Sequence, residues 1–246
     1  MATQVLTADI PAAAGRSWVL HHIGSLRLLD ANGREVTPRG RKARAVIAYL
    51  AAHLGEHIGR DRLVELLWGD RGETQARASL RQALLEIRHG CGSGLIRADR
   101  DHVWIERPRL RLAIEAGDLC TDGELFEDLS GITGEFDGWL RCERSRLAFE
   151  EWEMLEARAE ALVAAGRGGD ALSAIERMRR IDPFNEDWLR LAMRAEAQEG
   201  HPAAIQTRFR DMEALLKSEL GVSVSAQTRE LHDRLLVELA KAPDGG

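Results

Sequence analysis

Apolar positions along this chain recur mostly at helical spacing. From Thr74 to Gly90, Ala76, Leu80, Ala83, Leu84 and Ile87 fall on one face of a helix. The opposite face carries Ala78, Arg81, Gln82, Leu85, Glu86 and His89, flanked by Arg77 and Arg88. Long Arg and Gln side chains on a helix with an apolar back suit base edges and phosphates in a major groove. A solvated face on an ordinary amphipathic helix shows the same pattern, so the neighbouring elements decide between the two.

Before this helix, His21 to Asp30 alternates as a strand does, and Asn32-Gly33 is a tight-turn signal with a returning strand over Arg34 to Thr37. The pattern then predicts a helix from about Arg41 to Leu54 and a second from Arg60 to Trp68. The first opens on Arg39, Arg41, Lys42 and Arg44, cations that oppose the helix dipole. Phosphate contact and a solvated basic turn explain that opening equally well. After Gly90 and Gly94, Leu95 to Ala98 and Val103 to Glu106 read as strands joined by Asp99-Arg100-Asp101-His102. This order predicts a winged helix-turn-helix over residues 21–108. Its third helix enters the major groove, and Arg97 and Arg100 are the wing contacts.

The remainder reads as helical. A short helix is expected over Asp118–Leu129 and a long one from Asp137 to about Ala165. Gly166 and Gly200 lie 34 residues apart, the tetratricopeptide period, and each ends a helix so that a partner can begin. Asp182-Pro183 stops the helix after Gly166. Further helices are expected over Asn185–Gln198, Pro202–Leu220 and Ser225–Ala240. The fold class is thus mainly α with a small β part: a winged helix, then a tetratricopeptide-like α-helical repeat domain over 109–241. Residues 1–20 and 242–246 read as tails.

Charge sharpens the division. The formal net charge is −6, yet residues 1–107 hold 16 Lys/Arg against 12 Asp/Glu, and the rest hold 18 against 28. A basic front suits phosphate, whereas an acidic back suits a protein partner. No apolar run approaches membrane-spanning length, so no membrane partner is expected. The N-terminus to Arg16 lacks the basic and apolar regions of a secretory signal. Cys91, Cys120 and Cys142 show no metal-type spacing and fit reduced thiols, hence a cytoplasmic location. Eight histidines are scattered, and His53 and His57 at a helix end find no obvious third metal ligand. There is no Ser/His/Asp or Cys/His constellation and no lysine in a GxxxxGK[ST] frame. Neither an enzyme nor a cofactor is expected.

At this level of detail the chain resembles the streptomycete antibiotic regulatory protein (SARP) class. These are activators that join an OmpR-type winged helix to a bacterial transcriptional activator domain. The resemblance rests on Gly40-Arg41-Lys42-Ala43-Arg44 with Ile47-Ala48-Tyr49-Leu50, on Arg60-Asp61-Arg62-Leu63, and on Leu66-Leu67-Trp68-Gly69-Asp70. It continues through Gln75-Ala76-Arg77 with Ser79-Leu80-Arg81-Gln82-Ala83-Leu84, then Phe136-Asp137, Trp139-Leu140, Glu143-Arg144, Asp182-Pro183, Glu186 and Gly221-Val222. It implies a regulator that binds direct repeats in double-stranded promoter DNA as a head-to-tail homodimer and engages RNA polymerase holoenzyme. The candidate DNA contacts are Arg41, Lys42, Arg77, Ser79, Arg81, Gln82, Leu85, Glu86, Arg88, Arg97 and Arg100.

Two departures stand out: Leu85-Glu86 replaces a usual Ser-Arg, and Val224 replaces a usual proline. Facing DNA, Glu86 would repel phosphate or accept from a cytosine amino group, and Leu85 could meet a thymine methyl. The alternative reading is a tetratricopeptide-like interaction scaffold with no operator of its own. The aligned Arg77, Arg81 and Arg88 beside a wing argue against it.

Overall fold

The computed structural model describes residues 17–113 and 123–241. The chain divides into two compact units, Met1–Arg144 and Ser145–Gly246. Most of the tails expected at 1–20 and 242–246 lies outside the described residues.

The first unit opens with a three-stranded sheet. β1 (Trp18–His21) pairs antiparallel with β2 (Arg27–Leu29), Val19 lying opposite Leu29. The strand expected over His21–Asp30 is therefore two strands, because the chain reverses through Gly24 at φ 76°. β1 also claims residues expected in the tail: Trp18 and Leu20 are buried, and the Trp18 indole N–H donates to the Cys91 carbonyl at 3.0 Å. The return strand over Arg34–Thr37 shrinks to a bridge between Leu29 and Glu35, around a turn whose N–H groups at Asn32 and Arg34 bond the Asp30 carboxylate. β6 (Leu110–Leu112) adds to the other edge of β1 in parallel, Leu110 opposite Trp18. The expected boundary at 108/109 thus falls before a strand that completes the N-terminal sheet.

Three helices follow: α1 (Arg41–Ala52), α2 (Arg60–Trp68) and α3 (Glu73–Cys91). They pack on one another through residues with almost no exposure, among them Ile47, Leu50, Leu63, Leu66, Leu67, Leu80 and Ile87. A second sheet has the order β3-β5-β4, built from β3 (Ile58–Gly59), β4 (Arg97–Ala98) and β5 (His102–Trp104). Ile58 lies opposite Val103, and Ala98 opposite the same residue, so β4 and β5 form the wing hairpin.

Of the helix expected over Asp118–Leu129, residues 118–122 lie outside the described residues. The rest is one 3-10 turn, Glu127–Leu129, entered through Phe126 at φ 48°. This segment is tied to the winged helix. The Asp128 carboxylate accepts the Leu26 N–H at 2.8 Å and pairs with Arg44, and Thr133 Oγ1 donates to the Leu66 carbonyl at 2.7 Å. α4 (Gly134–Ala164) begins in this unit, where Phe136 is fully buried.

The second unit continues α4 and adds α5 (Gly168–Ile181), α6 (Glu186–Gln198), α7 (Pro202–Glu219) and α8 (Ala226–Lys241). Its core gathers Leu155, Ala171, Ile175, Met178, Leu189, Ala192, Met193, Ile205, Met212 and Leu231. The 34-residue echo is visible in backbone detail. Gly166 and Gly200 both have φ near 73°, and each N–H bonds the carbonyl three residues earlier. The next N–H, of Arg167 or His201, bonds five residues back, to Leu162 or Glu196. Both helix ends therefore carry the same left-handed glycine stop. Gly168 serves a close approach, since a Cβ there would lie 2.4 Å from the Ala195 carbonyl oxygen.

Candidate nucleic-acid interface

α3 buries Ala76, Leu80, Ala83, Leu84, Ile87 and Cys91 and exposes the opposite strip. Leu85 is 45% exposed. Helical spacing places Arg81 and Arg88 to one side of it and Gln82 and His89 to the other. Arg81, Gln82 and Arg88 form no side-chain hydrogen bond or ion pair with any described residue. Four long polar side chains thus surround one apolar group on an outward face. His89 belongs to this strip, and its place in the period was the only signal for it.

The N-terminus of α2 links this helix to the wing. Arg60 donates through Nε and Nη2 to the Asp99 carbonyl at 3.2 and 2.9 Å, and its N–H bonds the Asp101 carbonyl at 2.8 Å. The next residue, Asp61, pairs with Arg77 of α3 at 3.0 Å. Two consecutive residues of α2 thereby hold the wing tip and the first turns of α3. Arg60 was not among the expected contacts, and only the folded pairing reveals its role. Asp99 shapes the tip by accepting the N–H groups of Asp101 and His102 at 2.8 and 2.6 Å, and these bonds hold its carboxyl below the usual range. Arg100 projects from that tip with no partner among the described residues.

Other expected contacts are engaged internally. Arg77 also pairs with Glu73 at 2.9 Å, and Ser79 Oγ donates to the Gln75 carbonyl while accepting from Arg71. Arg97 meets Glu106 at 3.3 Å, a carboxylate held low chiefly by its hydrogen bond from Arg109. Arg41 donates to the Ser130 carbonyl at 2.6 Å and more distantly to that of Asp128. Lys42 donates to the Leu67 carbonyl and lies 5.2 Å from the centre of the Trp68 ring, where burial pushes its ammonium pKa down. Such a lysine answers the negative end of α2. Glu86 is half-buried, and its Oε1 accepts the Gly40 N–H at 2.7 Å. The structure therefore brings Arg81, Gln82, Leu85 and Arg88 together on an open face, with Arg100 on the wing, and turns Arg41, Lys42 and Glu86 to internal partners.

His53 and His57 do not share a helical face, because α1 stops at Ala52 and Gly55 takes φ 84°. His53 bonds the Tyr49 carbonyl and stacks on its ring, whereas His57 stacks on Trp104 at 4.1 Å. Among the described residues no group of three or more His, Cys, Asp or Glu side chains could hold a metal ion. No helix among them is long and apolar enough to cross a membrane.

A winged helix followed by paired α-helical repeats is an architecture of bacterial regulators, and the sequence comparisons agree with that class. The profile of the bacterial transcriptional activator domain matches residues 110–236, and the chain belongs to this family, as a regulator of SARP type. The family is one of transcriptional regulators, not a class of enzymes. The regulatory protein AfsR of Streptomyces coelicolor is 23% identical over 231 residues, covering 83% of this chain and 23% of AfsR. AfsR of Streptomyces griseus is 26% identical over 269 residues, covering 97% of this chain and 27% of AfsR. The chain thus spans about a quarter of the length of these relatives. Among solved structures, Mycobacterium tuberculosis EmbR in complex with a low affinity phosphopeptide matches with a TM-score of 0.69 and 18% identity. That match covers 91% of this chain and 66% of the EmbR chain, and it establishes the shared fold.

Proposed function

We propose that the chain binds double-stranded promoter DNA through the outward strip of α3 and the wing tip, and thereby regulates transcription. The observation that carries this reading is the open strip of Arg81, Gln82, Leu85 and Arg88, on a helix whose other face is buried core. A folded protein gains nothing internally from such unpartnered guanidiniums, whereas a major groove offers both guanine acceptors and phosphates. Arg81 and Gln82 read bases, and Arg88 and Arg100 meet phosphate.

Family membership supports an activator that engages RNA polymerase in the cytoplasm. The excess of carboxylates after residue 107 favours a protein partner for the helical repeats over a polyanion. Two protomers bind a direct repeat head to tail.

Mobility shift on promoter fragments at several salt concentrations tests the reading. Two phosphate contacts per protomer give a slope of about −2 in log affinity against log salt for each protomer bound. Absence of any shift at low salt would leave the interaction scaffold as the better account.

A further inference from the structure

The outward strip of α3 contains a single large apolar side chain. One exposed leucine is ordinary on a protein surface, but the setting of Leu85 is not. Four long polar side chains flank it, Arg81 and Arg88 on one side, Gln82 and His89 on the other. No large apolar neighbour on the strip extends it into a protein-docking patch, since the preceding position on the same line is the small Ala78. The adjacent carboxylate, the other candidate base reader of this pair, is engaged with the Gly40 N–H. Of the two neighbouring positions, the apolar one faces outward and the charged one faces in.

In a major groove the apolar feature that a base pair offers is the C5 methyl of thymine. We propose that Leu85 is a specificity-determining contact that reads the C5 methyl of one thymine in each half-site, and that Glu86 does not read bases. The proposal rests on the DNA-binding reading above. Arg81 lies one turn earlier, about 6 Å along the helix axis. The thymine therefore falls within about two base-pair steps, at 3.4 Å per step, of the base that Arg81 reads.

The test begins with selection of binding sites by the full chain from a random double-stranded library. The best site is then resynthesised with each thymine replaced singly by deoxyuridine, which removes only the methyl group. One such replacement per half-site should weaken binding about four-fold, the effect of losing one buried methyl-sized contact. Leu85→Ala should bind the thymine and deoxyuridine sites equally. Because Leu85 lies outside the core, this variant should keep the wild-type helical signal by circular dichroism. Indifference of the wild type to every replacement, or a Leu85→Ala variant that still separates thymine from deoxyuridine, would overturn the role of Leu85 while leaving DNA binding intact. Failure to enrich any sequence would overturn the DNA-binding reading and this one with it.

Discussion

Glu86 Oε1 accepts the backbone N–H of Gly40 at 2.7 Å, so a late turn of α3 closes the entry to α1. α1 has no side-chain cap of its own and no acidic residue in its first turn. It opens instead on Arg41 and Lys42 after Arg39, three cations set against the positive end of its dipole. Glu86 supplies from another helix the negative group that the local sequence lacks. The approach is close: a Cβ on residue 40 would lie 2.6 Å from Glu86 Oε2, so any larger residue there would make the carboxylate shift.

Replacing that carboxylate therefore acts on stability. Glu86→Ala should cost about 1–2 kcal/mol, the range for loss of a helix cap with its charge. Glu86→Gln should cost less, because the amide oxygen still accepts the Gly40 N–H. Glu86→Arg should cost most, since it adds another cation to the same helix end. Urea denaturation of the three variants checks the order. A Glu86→Arg protein as stable as wild type would show that the carboxylate does not support α1.

The winged helix should not fold when cut at residue 108. Such a fragment loses β6, whose Leu110 is 2% exposed against Trp18, and the Asp128 carboxylate that holds Arg44 and the Leu26 N–H. It also loses Phe126, Leu129 and Phe136, all buried. Removal of even one large core side chain costs about 3–5 kcal/mol, and a small domain is stable by about 5–15 kcal/mol. A fragment ending at Arg144 keeps all of these. Thermal melting by circular dichroism should show a cooperative transition for the longer fragment and none for the shorter.

Arg81 and Arg100 should separate by the kind of loss they cause. Arg81→Ala or Gln82→Ala should reduce discrimination among operator variants by about 1–3 kcal/mol, the worth of a good base contact. Arg100→Ala should weaken binding to all sequences alike and reduce the salt slope by about one. Titrations on operator and scrambled duplex at several salt concentrations distinguish these outcomes. Equal losses on both duplexes for Gln82→Ala would remove it from the base-reading set.

The helical periods made α1, α2, α3 and the repeat helices legible, because an apolar stripe every three or four residues is a local property. The glycine stops at Gly166 and Gly200 were legible for the same reason. The pairing of β6 with β1 was not, since three residues hold too little pattern to reveal a partner about 90 positions earlier. The cations divided along the same line. Arg81 and Arg88 keep the face their period assigns, whereas Arg41 and Lys42 are claimed by acceptors that only tertiary folding brings near, and Arg77 by one such acceptor, Asp61, besides its helical neighbour Glu73. Glu86 sits at the edge of the polar face by its period, and Gly40, 46 residues away, decides which way it turns.

His22 should give the first unit an acid-sensitive stability. Its Nδ1 is buried with no hydrogen-bond partner among the described residues, and its backbone carbonyl receives the Phe126 N–H at 2.9 Å where β1 meets the segment after residue 123. Burial lowers its pKa from the ordinary 6.5; the nearby Leu20 backbone opposes that shift and the neighbouring His21 adds to it. The folded state thus favours the neutral ring, and the unfolded chain takes up a proton first as pH falls. This contribution is complete above about pH 6.5 and is lost as pH drops from there through the folded pKa. The slope can reach about 1.4 kcal/mol per pH unit while only the unfolded chain is protonated. Glu176 and Glu186 also hold lowered pKa values, but their contributions are lost only as pH falls through the ordinary 4.5 and below. His22→Phe fills similar space, removes the unpartnered nitrogen and cannot titrate. Urea midpoints between pH 5 and 7.5 should fall on acidification for the wild type and stay flatter for His22→Phe. Parallel curves for the two proteins would show that His22 is not the group responsible.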